Sequence, residues 1–279
     1  MYMGIKLLQK LLRICARVSA VLLLGLYVYG TPLPQKSAIL PEVALGEPIQ
    51  QNILEQKPLE KSYGEFDYTL TPRANYELPG LVVAHHHSDS WIDISHENDP
   101  AQSVDVCVVW GKNISTNAYR EVSYSHGDWT CYYSWDTEIA PAFSGSHLSN
   151  SHLIPHNKEE ARLIKSINVG DQILLSGILT DYSIVGKDGA LLGKRQTSLT
   201  RTDAGNGACE VLYLSKVTIL QRNMPWREPL IAVLYILLVL WIPVEIYCGI
   251  PRYPRRAETL TGKPHVANPY DIKKFLPKK

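Results

Sequence analysis

The feature that most constrains this chain is a pair of apolar segments, one near each end. The second, residues 229–250, has about the 20 residues that an α-helix needs to cross the hydrocarbon core of a bilayer. The first, residues 18–30, is shorter, but it reaches spanning length when the basic side chains before it extend toward the interface. The sequence therefore predicts two transmembrane helices, the first an uncleaved signal-anchor; a cleaved signal peptide is the alternative.

The two ends of the chain are basic, whereas the part between the apolar segments is acidic. Residues 1–17 carry four Lys or Arg and no acidic residue, and residues 251–279 carry eight basic and two acidic residues. The rest of the 28 basic and 27 acidic residues, 16 and 25 respectively, give the intervening part a net charge of −9. The positive-inside rule therefore predicts cytoplasmic termini and a central domain outside a plasma or inner membrane.

The central region is predicted to consist of a tether and a folded domain. Residues 31–62 contain five prolines and little periodicity, which is typical of an extended spacer. Residues 63–228 contain short runs rich in Val, Ile and aromatic residues, separated by turn-forming residues, which predicts a mainly β external domain. The predicted strands are Leu81–His85, Trp91–Ile94, Val104–Trp110, Glu121–Tyr124, Trp129–Tyr133, Ile173–Leu179 and Cys209–Leu220.

One capped helix is predicted inside this domain. Asn157 is placed as its N-cap, Glu160 stands three positions later as in a capping box, and Gly170 ends the helix. Strands punctuated by glycine follow, with a tight turn at Gly170-Asp171 and a bend at Gly177. This stretch, residues 160–220, resembles part of an OB-type barrel, and the resemblance implies a small OB-like barrel as the fold.

A histidine-rich segment is the feature that most suggests a metal site. In an extended strand His85, His87 and Asp89 project from one face, because side chains alternate. A hairpin would then bring His96 alongside, and such nitrogen and oxygen ligands suit zinc or copper. The spacing matches no established metal signature, so a polar strand end with solvated histidines is the alternative.

Two polar clusters predict where a catalytic site would lie. His152 stands among serines and an asparagine, residue types that serve in acyl and phosphoryl transfer. Arg195, Arg201, Asp203 and Glu210 surround a glycine turn. The two arginines would bind an anion, or the last three residues would form salt bridges across a hairpin. A catalytic site is predicted where this hairpin meets His152; the alternative is that both clusters are structural.

The cysteines of the central region can form a disulfide if that region lies outside the cytoplasm. Cys131 and Cys209 lie beside turns and are predicted to pair with each other. Cys107 lies in an apolar run typical of a buried strand and is predicted to be the free thiol. No cysteine is marked as a nucleophile by its neighbours in sequence.

Two functions of different classes are compatible with these features. The first is a non-enzymatic membrane protein in contact with membrane lipids, whose β-rich domain binds a protein partner or ligand in an envelope assembly. The second is a membrane-tethered hydrolase or metalloenzyme that acts on an envelope substrate. Nucleic acid is not expected as a partner, because its binding depends on neutralising phosphate charge and the central domain is acidic.

Overall fold

The computed structural model describes residues 2–55, 57–88, 95–97, 99–203 and 208–249. The chain divides into two compact units, one made of Met1–Ala20 with Leu234–Lys279 and the other of Val21–Val233. The fold is mainly β-sheet with a few helices, as the sequence predicts, and every strand lies in the second unit.

An apolar helix, α1 (Tyr2–Tyr29), opens the chain and covers the first predicted span. Its segment Leu7–Tyr29 has a mean hydropathy of 1.9, and within the described residues it is the one helix that satisfies both length and hydropathy for a membrane span. The second apolar segment forms helix α5 (Arg227–Gly249), which contains Pro243. In the first unit the guanidinium of Arg13 donates to a carboxylate oxygen of Glu245 at 2.9 Å.

The second unit is built on one large sheet and one small one. In the described part of the chain the large sheet has eight strands, ordered β1-β3-β4-β7-β10-β8-β9, with β2 paired to β3 and a further pairing between β3 and β8. The small sheet pairs β5 with β6. The strands are β1 (Ile49–Asn52), β2 (Leu59–Tyr63), β3 (Phe66–His87), β4 (Val104–Val109), β5 (Ser123–His126), β6 (Cys131–Ser134), β7 (Leu148–Pro155), β8 (Gln172–Gly186), β9 (Leu191–Arg195) and β10 (Glu210–Gln221).

The structure extends the predicted strands and adds others. β4 and β10 occupy almost the predicted residues, whereas β3 is 22 residues long and contains the predicted Leu81–His85 as its last part. β7 lies in a stretch that the sequence pattern assigns to a polar loop. The short helix α2 (Pro41–Ala44) and strands β1 and β2 lie within the predicted tether. The predicted strand Trp91–Ile94 is outside the described residues.

Strand β4 is buried on both faces, and it carries one residue of the candidate site. Val104, Val106 and Val108 point into one apolar cluster, whereas Cys107 and Val109 point into another. Because side chains alternate along a strand, Asp105 shares the face of Cys107. A carboxylate is thereby held in the interior, where it needs a partner.

The cap predicted at Asn157 is confirmed in helix α4 (Lys158–Lys165), although the helix ends before Gly170. Another short helix, α3 (Lys112–Ser115), lies earlier in the chain. The side-chain oxygen of Asn157 accepts from the backbone N–H groups of Glu159 and Glu160 at 2.8 and 2.9 Å. The carboxylate of Glu160 accepts from the backbone N–H of Val217 in β10 at 3.0 Å. The Glu160 side chain in the first turn therefore also connects the helix to the sheet.

Two glycines shape β8 at the positions that the sequence indicates. Gly170 has φ +86°, a left-handed conformation that L side chains rarely adopt, in the turn before the strand. At Gly177 an added Cβ would lie 2.3 Å from the carbonyl oxygen of Tyr213, so only glycine permits the approach of β10. This close packing brings β8 against β10, the strand that carries Glu210 at its start.

Candidate functional site

A polar cavity of about 380 Å³ opens in the second unit, at the start of β10 and along β7. This cavity is a candidate active site, because it gathers titratable side chains from strands that are far apart in sequence. Its lining includes Trp129, Cys131, Asn150, His152, Arg195, Arg201, Asp203, Cys209 and Glu210.

His152 and Asp105 form a buried ion-pair contact at the cavity wall. The two residues stand directly opposite each other on the antiparallel strands β7 and β4. The Nδ1 atom of His152 lies 2.7 Å from a carboxylate oxygen of Asp105, and each side chain is 1% exposed. The position of a carboxylate on Nδ1 orients the ring and directs its other nitrogen toward the cavity.

The environment makes His152 a strong base. Burial lowers its pKa, but the charge of Asp105 and the contact with it outweigh burial and raise the pKa to about 9. The side chain of Cys209 acts in the same direction, whereas the charge of Arg195 opposes it. A guanidinium nitrogen of Arg195 lies 2.9 Å from Nε2 of His152.

Cys209 is a free and partly exposed thiol at the cavity. It directly precedes β10, which runs parallel to β7 with Glu210 opposite Ser151. This pairing brings Cys209 beside Asn150 and His152. The amide nitrogen of Asn150 donates to the sulfur at 3.2 Å and to the backbone carbonyl of Trp129 at 2.9 Å. The thiol therefore has an amide donor in contact with it and lines the same cavity as His152.

Arg195 is held over the cavity by three groups. Its guanidinium carbon lies 4.3 Å from the ring centre of Trp129, a cation–π contact. On its other side it reaches the amide oxygen of Gln102 at 3.5 Å. Gln102 in turn donates to the buried carboxylate of Asp99 at 3.2 Å, which also accepts from the hydroxyl of Tyr68 at 2.8 Å. The cation is thus part of a connected polar network.

A second buried acid, Glu210, lies on the opposite face of the strands. Its carboxylate accepts from the hydroxyl of Ser149 at 2.5 Å and pairs with Arg201. Arg201 also donates to the hydroxyl of Tyr76 at 2.7 Å. Burial raises the pKa of Glu210 to about 7, although Arg201 and Ser149 both act to lower it.

The structure brings the four predicted catalytic residues to one cavity. His152, Arg201, Asp203 and Glu210 all line it. Asp203 accepts from the hydroxyl of Ser198 at 2.5 Å. Arg201 and Glu210 form a salt bridge with each other, which is the alternative to anion binding that the sequence left open.

Three site residues were missed by the sequence prediction. They are Asp105, Trp129 and Cys209, the last of which was assigned to a disulfide. Asp105 carried a usable signal, because a single carboxylate within the apolar run Val104–Val109 requires a buried partner. The other two give no such signal, since their contacts arise only from the pairing of distant strands.

The predicted pairing of Cys131 with Cys209 is wrong for this structure. Cys131 is bonded to Cys107, with their Cα atoms 5.8 Å apart, and Cys209 is free. The reason is geometric, because β6 lies against the face of β4 that carries Cys107, and both cysteines belong to the same apolar cluster. From sequence, the apolar run around Cys107 predicted a buried free thiol. Cys107 is buried, but it is part of a disulfide.

The predicted zinc or copper site is not assembled in the described part of the chain. There, no group of three or more His, Cys, Asp or Glu side chains is placed to hold a metal ion. The ring of His85 packs on that of His87, whereas His96 lies 3.7 Å from the ring of Trp129 and stacks on His86. The fourth predicted ligand, Asp89, lies outside the described residues.

Comparison with known proteins gives no relative from which a role could be transferred. No protein-family model, curated protein or solved structure matches the chain.

Proposed function

We propose that this protein is a membrane-tethered thiol enzyme that transfers or hydrolyses an acyl group in its cavity. The observation that carries the proposal is the alignment of Cys209, His152 and Asp105. The Cys209 thiol lies at the cavity that His152 also lines, and Nδ1 of His152 lies 2.7 Å from the Asp105 carboxylate. A nucleophile, a base and a group that orients the base are the parts that covalent acyl transfer requires.

The proposed reaction uses each group in turn. His152 in its neutral form, which predominates above its pKa of about 9, removes the proton of the Cys209 thiol, and Asp105 stabilises the imidazolium that results. The sulfur attacks the carbonyl carbon of an ester, thioester or amide, and His152 returns the proton to the leaving group. Water or a second acceptor then releases the acyl group from the thioester.

The charge that develops on the carbonyl oxygen needs a donor. Asn150 offers an amide N–H already directed at the sulfur, and Arg195 offers a guanidinium 2.9 Å from the base. Donors fixed in place before the reaction stabilise an oxyanion without reorganisation. The stacking of Arg195 on Trp129 keeps that cation in position.

The proposal includes the two-span topology that the sequence predicts. It places α1 and α5 across the membrane, both termini in the cytoplasm, and the sheet-bearing unit outside. The ion pair between Arg13 and Glu245 supports it, because a charge in one apolar helix is offset by the opposite charge in the other. Reporter fusions after residues 228 and 279 test this topology; the first should report an external location and the second a cytoplasmic one.

For the fold, we propose a small barrel similar to the OB type. The pairings β3–β4, β4–β7, β7–β10, β10–β8 and β8–β3 support it, because they return to the strand from which they start. In such a barrel the Cys209 end of β10 opens toward a loop-lined rim, where OB-type folds hold their ligands.

An activated ester tests the enzyme proposal without knowledge of the natural substrate. The purified full chain in detergent is treated with p-nitrophenyl acetate, and acetylation is located by peptide mass spectrometry. Acetyl-Cys209 is expected, absent in Cys209→Ala and formed at least about 100-fold more slowly in His152→Asn. Cys15→Ser is the matched control, because it removes the other free thiol described, and it should react normally. Equal rates in His152→Asn and the unaltered protein would refute the proposal.

A second candidate is the partner-binding function predicted from sequence. An exposed aromatic patch on β6 and just beyond it favours it, since Tyr132, Tyr133 and Trp135 are 59%, 38% and 40% exposed. Exposed aromatic side chains are frequent anchors of protein interfaces. A photo-crosslinking amino acid at position 135 in intact membranes should capture a specific protein. The same probe at Leu191, which is 56% exposed on β9, is the control.

A further inference from the structure

Three cysteines of the second unit meet at the cavity. Cys107 and Cys131 form the disulfide that joins β4 to β6, and Cys209 is the free thiol at the start of β10. Both Cys131 and Cys209 line the cavity, whereas Cys107 is fully buried. One residue of the disulfide thus lines the same cavity as the free thiol.

Asn150 connects the free thiol to the disulfide. Its residue stands directly opposite Cys107 on the neighbouring strand, and residues so paired have Cβ atoms about 4.5–5.5 Å apart. Its amide nitrogen contacts the sulfur of Cys209 at 3.2 Å. Its amide oxygen contacts Nε2 of His126 at 2.8 Å, and His126 is the strand partner of Cys131. The Asn150 side chain therefore contacts the sulfur of Cys209 directly, and strand pairing places it near both cysteines of the disulfide.

We propose that Cys209 exchanges with the Cys107–Cys131 disulfide inside the cavity. The sulfur of Cys209 attacks that of Cys131, a bond forms between them, and the bond from Cys131 to Cys107 breaks. Cys107 leaves with the electron pair as a thiolate. The proton lost by Cys209 passes to His152 and is available to Cys107, so the step needs no external oxidant or reductant.

The exchange creates a second covalent state of the site. In that state Cys209 is part of a disulfide and cannot act as a nucleophile, while the free thiol sits in the buried strand β4. This consequence rests on the proposed acyl-transfer function, but the exchange itself does not. The reverse step, attack by Cys107 on Cys131, restores the free thiol.

Disulfide mapping tests the exchange directly. The full chain carrying Cys15→Ser and Cys248→Ser is incubated at pH 8 without reductant, quenched in acid, alkylated with N-ethylmaleimide and digested for mass spectrometry. A fraction should carry the label on Cys107 together with a Cys131–Cys209 linked peptide, and His152→Asn should slow its appearance about 10-fold or more. Label on Cys209 alone at every time point would overturn the inference.

Two variants keep the test decisive. Cys209→Ser should retain only the Cys107–Cys131 link with no labelled Cys107; labelled Cys107 in this variant would show that Cys209 is not the attacking group. Cys107→Ser leaves two thiols, and treatment with diamide should join Cys131 to Cys209 within minutes. Failure to join them would show that the sulfurs do not meet.

Acetylation by p-nitrophenyl acetate, measured on the same sample, separates the two proposals. Exchange without acetylation leaves this inference standing and removes the acyl-transfer function. Acetylation without exchange does the reverse.

Discussion

Nδ1 of His152 lies 2.7 Å from the carboxylate of Asp105, and the two side chains are among the most buried polar groups of the sheet. A paired charge of this kind is costly to separate, because either partner alone would be left in an apolar environment. The contact therefore couples the protonation of the site to the stability of the fold.

We expect stability to fall between about pH 6.5 and 9 because of His152. The folded-state pKa, about 9, exceeds the model-peptide value of 6.5, so the folded protein binds the proton more tightly. That contribution, about 3 kcal/mol, is complete below pH 6.5 and is lost as the pH rises through 9. Urea unfolding of the full chain in detergent, followed by tryptophan fluorescence, measures it. Asp105→Asn should remove most of the slope; an unchanged slope would contradict this account.

The pair Arg201 and Glu210 should show its own pH dependence. Because burial raises the pKa of Glu210 to about 7 from 4.5, its contribution to stability is present below pH 4.5 and is lost as the pH rises through 7. Arg201→Met leaves a buried carboxylate without its cation and should cost about 3–5 kcal/mol at pH 8, and less at pH 5. Arg201→Met with Glu210→Gln should recover much of that loss. Equal effects of Arg201→Met at both pH values would count against the pairing.

Asn157→Ala should lower the free energy of unfolding by about 1 kcal/mol. The substitution removes the oxygen that accepts from two backbone N–H groups at the start of α4. Asn157→Asp keeps an acceptor at the same position and is the control. The measurement is the urea midpoint, and equal midpoints for the two variants would contradict the capping role.

Gly177→Ala should destabilise the sheet by at least about 1–3 kcal/mol, because overpacking forces the backbone to shift. The added Cβ would meet the carbonyl oxygen of Tyr213 at 2.3 Å. Gly193→Ala, in β9, is the matched control, since the nearest atom there is 3.8 Å away. Thermal unfolding compares the two. Similar melting temperatures would show that β8 and β10 do not approach as closely as described.

Local signals predicted part of this structure well. The cap at Asn157, the turn at Gly170 and the strand β4 each depend on a short run of residues, and each is found near its predicted place. The helix α1 also follows from composition alone, although it begins well before residue 18.

The strands that were missed lacked the usual period-two pattern. β7 buries Ser149, Asn150, Ser151 and His152, polar residues that the sequence pattern does not mark as part of a strand. β3 contains Pro72, which the strand accommodates at a register shift between Pro72 and Ala74. Tertiary contacts decided both cases.

The candidate site was predicted only in outline. His152 was expected to meet the hairpin that carries Arg201, and the cavity lies there. The roles proposed for Cys209 and Asp105 were not expected, because these residues are about 100 positions apart and are connected only through β7. Likewise, three cysteines allow three pairings, and sequence alone does not choose among them.

The 24-residue separation of Cys107 and Cys131 has a consequence for biogenesis. Chains grow from the N-terminus at about 5–20 residues per second, so Cys209 is made about 4–16 s after Cys131. In an oxidising compartment the first two cysteines can join before the third exists. Order of synthesis, rather than relative affinity, then selects the first bond, and the thiol that stays free is the one that is made last.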